Sequence, residues 1–443
     1  MLRLWLALVT AKIAYFFSRL LGRQGTTISG VVALRIYPLI LKRLSQKLKT
    51  VVFVTGTNGK TTTSNLLASM LKQSGRSVIH NREGANMLTG ITASVVKEAN
   101  WRGTLNGDCA VFEVDEGSLP AVMKQLAPSH IVIINFFRDQ LDRYGEIDVL
   151  IQNMMAAIRP AQTRLILNTD DPLVGQFEGL NKHTIYFGMR SETENSVFGQ
   201  FALGESIFCP QCGEEMKYRH IHFGQLGDYA CSCGFSRRTP KYEAGSIQAR
   251  PTLSFQMNGL PLTSALIGSF NAYNVLAAAA AALECGVSME HVQQALTRYA
   301  PQNGRMETFI HRGLPYILNL NKNPSGTNVI INEIMADPAR KQLLIILNDF
   351  VADGEDISWI WDVDFEVFNQ KAVEKIVCAG SRSSELALRL KYAGIDSNKI
   401  KDISRIHNAI NYILEHPLQT YVLPTYSALE ITKHDLGEKV QPT

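Results

Sequence analysis

The chain has 443 residues, 46% of them hydrophobic and 19% charged, with a formal net charge of +4. That length and balance give two or three domains with sizeable cores and exclude a disordered or low-complexity protein. The net charge is too small and scattered to argue for nucleic acid by itself, so a basic balance matters only where it is local.

Residues 1 to 21 are the first such place. MLRLWLALVTAKIAYFFSRLL is strongly apolar yet carries Arg3, Lys12 and Arg19, with Arg23 just beyond. A spanning helix needs about 20 apolar residues, and a lysine near the middle of the run opposes spanning. No Ala-x-Ala cleavage site stands where a secretory signal would place one. Two readings stay open: a basic amphipathic helix lying on an anionic leaflet with Trp5, Phe16 and Phe17 dipping in, or a helix packed on the rest of the protein or on a partner.

Val51 to Val54 is an apolar β-branched run feeding Thr55-Gly56-Thr57-Asn58-Gly59-Lys60-Thr61-Thr62, with a helix expected over Thr62–Gln73. A strand, a Gly-Lys-Thr turn and a helix build a triphosphate cradle. Gly56 and Gly59 let successive N–H groups face the β-phosphate, Lys60 reaches the β/γ oxygens from an exposed position, and Thr61 ligates Mg2+. The helix adds its positive end. The expected ATP-binding set is Gly56, Thr57, Asn58, Gly59, Lys60, Thr61 and Thr62.

Further strands are expected at Cys109–Val114, His130–Asn135 and Arg164–Asn168, alternating with helical patterns as in a mostly parallel sheet covered on both faces. Ligands gather at the carboxyl ends of such strands. Thr57 to Thr61, Glu113 to Glu116, Asn135 to Asp142 and Asn168 to Asp171 therefore belong around one site. Glu113 is the expected second ligand to Mg2+; Asp115 or Glu116 is the alternative, as is a solvated strand end. Phe136 to Gly145, with Arg138, Asp139, Asp142 and Arg143, reads as a nucleotide or substrate loop or as the start of a surface helix.

Seven cysteines, an odd number without a signal peptide, point to a reducing compartment and to metal rather than disulfides. From Ser206 to Gln248 the alternation gives way to an insert holding Cys209, Cys212 and Gly213, then Cys231, Cys233 and Gly234. Two close thiolate pairs suit a tetrahedral, structural Zn2+ with no open coordination position. The second pair is one residue short of the usual spacing, so its knuckle must be built differently. Lys217, Arg219, Arg237, Arg238 and Lys241 lie nearby, but without a longer basic face the insert reads as scaffold and not as a nucleic-acid reader.

An alanine-rich helix, Asn274–Leu283, resumes the α/β pattern. Beyond the loop from Pro301 to Arg305 a second alternation begins, with strands at Tyr316–Leu320, Leu343–Leu347, Ile376–Ala379 and Thr420–Leu423. Helices are expected around Val329–Met335, Ser383–Lys391 and Ile406–Leu414. The expected organisation is a basic helical segment (1–48), a phosphate-loop α/β domain (49–300) carrying the insert (206–248), and a Rossmann-like α/β domain (301–443).

Thr55 to Thr62, Asn86 to Gly90, Glu113 to Glu116, Asn168 to Asp171, Gly268 to Asn274 and Gly304-Arg305, taken in order and spacing, resemble the Mur ligase family over residues 50 to about 310. The resemblance implies a Mur ligase central domain using ATP and Mg2+, a nucleotide contact from Asn271, and a second from Arg305 reaching across from the neighbouring domain. Three departures narrow it. Only about 50 residues precede the phosphate loop where amino-acid-adding members carry a UDP-sugar domain, those members lack the cysteine cluster, and their carbamylated lysine has no assigned counterpart here.

Nearly end to end, including the insert and Asn348 to Asp362, the chain is similar to the branch that forms the synthetase subunit of lipid II isoglutaminyl synthase. That implies a cytoplasmic enzyme, peripheral on the inner membrane face, amidating the α-carboxylate of D-glutamate in the lipid II stem peptide through an acyl phosphate. Free ammonia is scarce at neutral pH, and no Gly-x-Cys-x-Gly nucleophile elbow is present; Cys378 is the nearest imitation and reads as a core residue. The resemblance therefore implies a GatD-like glutaminase partner. Asp353, on an Ala-Asp-Gly tip expected to reach outward, would complete that partner's triad ahead of Asp349 and Asp356. The competing readings are an amino-acid-adding Mur or folylpolyglutamate-type ligase and a zinc-ribbon NTPase that binds nucleic acid.

Overall fold

Thr50–Thr55 (β1) is buried from Val51 onward, the mark of a central parallel strand covered on both faces. Its side chains alternate between two cores. Val52 and Val54 join one cluster, while Val51 and Phe53 join the other. The computed structural model describes residues 2–20, 27–82, 85–137, 147–190, 208–250, 252–300, 304–439 and 441–442. They divide into two units, one ending at Tyr299 and the other starting at Ala300.

In the first unit, helices Leu2–Leu20 (α1), Ile28–Ile36 (α2), Lys60–Gln73 (α3), Leu88–Glu98 (α4), Ile147–Ile158 (α5), Phe270–Glu284 (α6) and Met289–Arg298 (α7) flank a nine-stranded sheet. Its further strands are Val78–His80 (β2), Cys109–Glu113 (β3), His130–Ile133 (β4), Arg164–Asn168 (β5), Thr184–Met189 (β6), Tyr242–Gln248 (β9), Leu253–Met257 (β10) and Leu260–Ser264 (β11), in the order β11-β10-β9-β6-β5-β4-β1-β3-β2. β1 runs parallel to β3 and to β4, with Val54 opposite Glu113 and Thr55 opposite Ile133. That register brings the turn after β1 beside the carboxylates after β3.

Helix α6 is buried from Asn271 through Ala282, and its alanines let it lie close on the sheet and against α3. On the opposite face Ala7, Leu8 and Ala11 of α1 pack into the same cluster as Phe53, beside α2 and α4. The packed-helix reading of the first segment thus holds for its inner face. Among the described residues no helix is long and apolar enough to cross a membrane.

The insert is smaller than expected. A two-stranded ribbon, Lys217–Phe223 (β7) and Leu226–Ala230 (β8), stands apart from the main sheet. β9, assigned by sequence to the insert, instead pairs in parallel with β6, Phe187 opposite Tyr242, and carries the antiparallel β10–β11 extension. Tyr242 and Ala244 point into the main core, and a core-facing strand cannot be separated from a preceding loop by composition alone.

The second unit is a seven-stranded sheet in the order β16-β15-β14-β17-β13-β12-β18. Its strands are Arg305–His311 (β12), Leu314–Asn319 (β13), Lys341–Ile346 (β14), Val373–Ala379 (β15), Ile400–Asp402 (β16), Gln419–Pro424 (β17) and Gln441–Pro442 (β18). Helices Pro324–Ala336 (α8), Ser383–Tyr392 (α9) and Ile406–Glu415 (α10) stand where the sequence pattern places helices, and a further helix, Tyr426–Lys439 (α11), follows β17. Cys378 is buried on β15 with its thiol pushed far up by burial and the neighbouring Asp402, which makes it a core residue and not a nucleophile.

Candidate nucleotide site and cysteine cluster

The turn between β1 and α3 is held from outside by β4's extension. Asn135 accepts from the Asn58 N–H (2.9 Å) through its side chain and donates back to the Asn58 carbonyl (3.0 Å). The Asn135 carbonyl accepts from Thr57 N–H at 2.9 Å, and the Thr57 hydroxyl accepts from Phe137 N–H at 2.9 Å. Gly59 sits at φ 88° with the Asn274 side-chain oxygen 2.0 Å from where a Cβ would be, so both its conformation and its neighbour exclude any larger residue. Asn274 in turn stands 3.4 Å from the Thr63 hydroxyl. Asn274 is thus the α6 asparagine against the loop; Asn271 accepts from the Asn274 side chain (2.9 Å) and donates to the Ile267 carbonyl (2.7 Å).

Lys60 departs from expectation. Only 8% of it is exposed, and its ammonium donates to the Glu116 carboxylate (2.8 Å) and to the Gly56 carbonyl (2.6 Å). The same Glu116 oxygen accepts from Gly56 N–H at 2.9 Å. Burial by itself would depress the lysine pKa, but Glu116, Glu113 and Asp115 together outweigh it and hold the ammonium above its ordinary range. Gly56 N–H and Lys60 therefore converge on one anionic oxygen, the arrangement a phosphate oxygen requires. Glu116, only an alternative ligand in sequence terms, proves to be the direct partner of Lys60. The signal was its place one turn past β3; the pairing itself lay 56 residues away along the chain.

Glu113, at the carboxyl end of β3, is buried; it accepts from the Asn86 side chain at 3.0 Å, and Asn81 exchanges hydrogen bonds with its backbone. Thr61 and Thr62 open α3, Thr62 buried and Thr61 partly so. Arg305 opens β12 in the second unit, half-buried. Of the loop from Phe136 to Gly145, residues 138–145 lie outside the described residues, as do Arg23 and 301–303.

Cys209, Cys212, Cys231 and Cys233 place their four sulfurs within 4.8 Å of one another. The close contacts cross between the two pairs, Cys209 to Cys233 at 3.7 Å and Cys212 to Cys231 at 3.4 Å. Thiolates about 2.3 Å from a tetrahedral Zn2+ would stand about 3.8 Å apart, close to both distances. Gly213 (φ 78°) and Gly234 (φ 96°) turn the two knuckles, and the Cys233 backbone N–H and the neighbouring thiols hold the Cys231 thiol down to about 6. The shorter second pair is accommodated by a Cys231 N–H donated to the Phe235 carbonyl at 2.8 Å.

The insert is fastened to the cradle's support. Phe223 stacks on Phe137 (5.7 Å between centroids, 15° between planes), and Gln225 donates to the Phe136 carbonyl. Behind them the fully buried Asp170 accepts from Arg237 (2.6 Å), Tyr273 (2.7 Å) and Met189 N–H (2.7 Å), joining insert, α6 and sheet.

Asp353 also departs from expectation. It is only 6% exposed, and its carboxylate accepts from Ser427 N–H at 2.7 Å, at the start of α11. The Ala-Asp-Gly tip turns its charge inward because a helix N-terminus offers unpaired N–H groups and a favourable dipole. Asp349 pairs with Arg382 (2.7 Å) and Ser381, and Asp356 caps Ser358. Phe350 and Val351 are exposed on this loop, as are Ala352, Glu355 and Asp356.

The Mur ligase middle domain matches residues 54–282, and the MurT ligase C-terminal domain matches residues 320–429. Over 428 residues the chain is 38% identical to the Staphylococcus aureus (strain COL) "Lipid II isoglutaminyl synthase (glutamine-hydrolyzing) subunit MurT", covering 97% of this chain and 96% of that protein. It belongs to the MurT branch of the Mur ligase family. The Streptococcus pneumoniae subunit of the same name is 35% identical over 442 residues, with 97% and 96% covered. Among solved structures, a pseudomurein peptide ligase type C from Methanothermus fervidus aligns with a TM-score of 0.70 at 23% identity over 89% of this chain and 80% of that one, a likeness of Mur ligase fold.

Proposed function

We propose that this MurT-branch chain is the ATP-dependent synthetase subunit of a lipid II isoglutaminyl synthase, amidating the D-glutamate α-carboxylate of the stem peptide to D-isoglutamine. The observation that carries this is the end-to-end identity to proteins of that name, joined to a cradle whose donors converge on an anionic oxygen. A carboxylate is a poor electrophile; ATP would supply the phosphoryl group that makes it an acyl phosphate, from which ammonia displaces phosphate. Gly56, Thr57, Asn58, Gly59, Lys60, Thr61 and Thr62 hold the phosphates, with Lys60 exchanging Glu116 for a phosphate oxygen. Thr61 and Glu113 are the proposed Mg2+ ligands, and Asn271 and Arg305 are assigned to nucleotide contacts on the resemblance. The four cysteines would hold a structural Zn2+ in an insert that braces the cradle.

Ammonia is supplied, on this reading, by a GatD-like glutamine amidotransferase, and the work is done at the cytoplasmic membrane face where a lipid-linked substrate lies. On the resemblance, Asp353 is proposed to orient the partner's histidine, a role that requires the complex to turn outward a carboxylate that here lies buried on Ser427 N–H. Asp353→Asn then lowers glutamine-driven amidation by roughly 10^3-fold or more and spares the rate with added ammonium. Wild-type glutamine hydrolysis by the assembled complex of that variant rejects the assignment. Failure of ammonium, with ATP and lipid II, to give amidated product with the wild-type complex rejects the function itself.

A further inference from the structure

Helix α1 has a second apolar face that the fold leaves open. Opposite the buried Ala7, Leu8 and Ala11, the exposed residues include Trp5 (51%), Leu6, Ile13, Phe16 (60%), Phe17 (58%) and Leu20. At 100° per residue these six fall within an arc of about 120°. Lys12 and Arg19 border that arc on one side and Arg3 on the other, while exposed Trp101 lies beside Lys12, whose ammonium is 5.4 Å from its ring centroid. Charge is equally uneven along the chain. Residues 1–50 carry nine Lys or Arg and no Asp or Glu, although the whole chain has 44 of the first kind and 40 of the second. The remaining residues are therefore net acidic.

An exposed apolar stripe of this size marks an interaction surface. We propose that the outer face of α1 docks flat on an anionic lipid leaflet, with Trp5, Phe16 and Phe17 among the acyl-chain ends and Arg3, Lys12 and Arg19 at the headgroups. A helix apolar on one side, bordered by cations and free of acids, fits a negatively charged, deformable surface. The inner face stays packed on α2, so docking needs no unfolding of the unit. The proposal deepens the reading of a lipid-linked substrate, because it brings the cradle's unit to the leaflet that presents it.

The test is co-sedimentation of the full chain with vesicles of phosphatidylglycerol and phosphatidylcholine, against phosphatidylcholine alone, with tryptophan emission as second readout. Binding to the anionic vesicles, weakened by salt, is expected. Phe16→Ser/Phe17→Ser should weaken it by on the order of tenfold, with thermal melting and amidation of a soluble substrate analogue unchanged. Arg19→Gln, at an exposed position, should also weaken binding to the anionic vesicles. Wild-type binding by the two-serine variant, or equal binding to neutral vesicles, overturns the proposal; so does loss of the glutaminase partner by that variant with vesicle binding retained, which would make the face a protein interface. Lost amidation with intact vesicle binding would count against the reaction assigned above and not against the docking face.

Discussion

Replacing Lys60 by methionine together with Glu116 by glutamine leaves a folded protein whose ATP-dependent amidation falls by on the order of 10^3-fold, the scale of losing one positioned cation from phosphoryl transfer. The paired change is needed because the two side chains form a buried ion pair at 2.8 Å. Lys60→Ala by itself strands the Glu116 carboxylate beside Gly56 N–H, and breaking one half of a buried pair costs about 3 kcal/mol or more. That single variant is therefore expected to melt early, and its inactivity would not separate chemistry from folding. The double variant keeps the volume and removes both charges. Turnover at saturating ATP, measured beside thermal melting, decides the matter: near-normal turnover in a normally melting double variant would remove Lys60 from the mechanism.

The second large effect is on the insert. Purified under reducing conditions, the protein should carry about one Zn2+ per chain, and Cys209→Ser should release it, since three thiolates no longer close a tetrahedron. The expected result goes beyond local loss of stability. The ribbon's Phe223 and Gln225 hold Phe137 and Phe136, and Thr57 is bonded to Phe137, so an insert that opens loosens the wall of the phosphate loop. Protease cleavage within 208–241 and a several-fold rise in KM for ATP should appear together, with kcat changed less. Protein free of zinc, or a Cys209→Ser variant with wild-type melting and wild-type KM, would refute the metal site.

Most of the frame was legible from the chain alone, for a local reason. β-branched runs such as Val51 to Val54, the Gly-Lys-Thr turn and the alternation beyond Gly304 encode elements through neighbours within a few residues, and those elements stand close to where they were expected. The cysteine spacing likewise named four sulfurs that the fold brings within 4.8 Å.

What the tertiary structure decided depends on residues far apart in sequence. The parallel register of β1, β3 and β4 set Glu116 on Lys60 and Asn135 on Asn58, pairings no window of sequence contains. Core burial drew β9 out of the insert into the main sheet, and the unpaired N–H at the start of α11 turned Asp353 inward. The same packing settled α1: its composition admitted either a lipid face or a packed face, and contact with α2 and α4 buries one side of the helix while leaving the other to solvent. Side-chain chemistry determined which groups were available; only burial and register, which are properties of distant contacts, determined which groups meet.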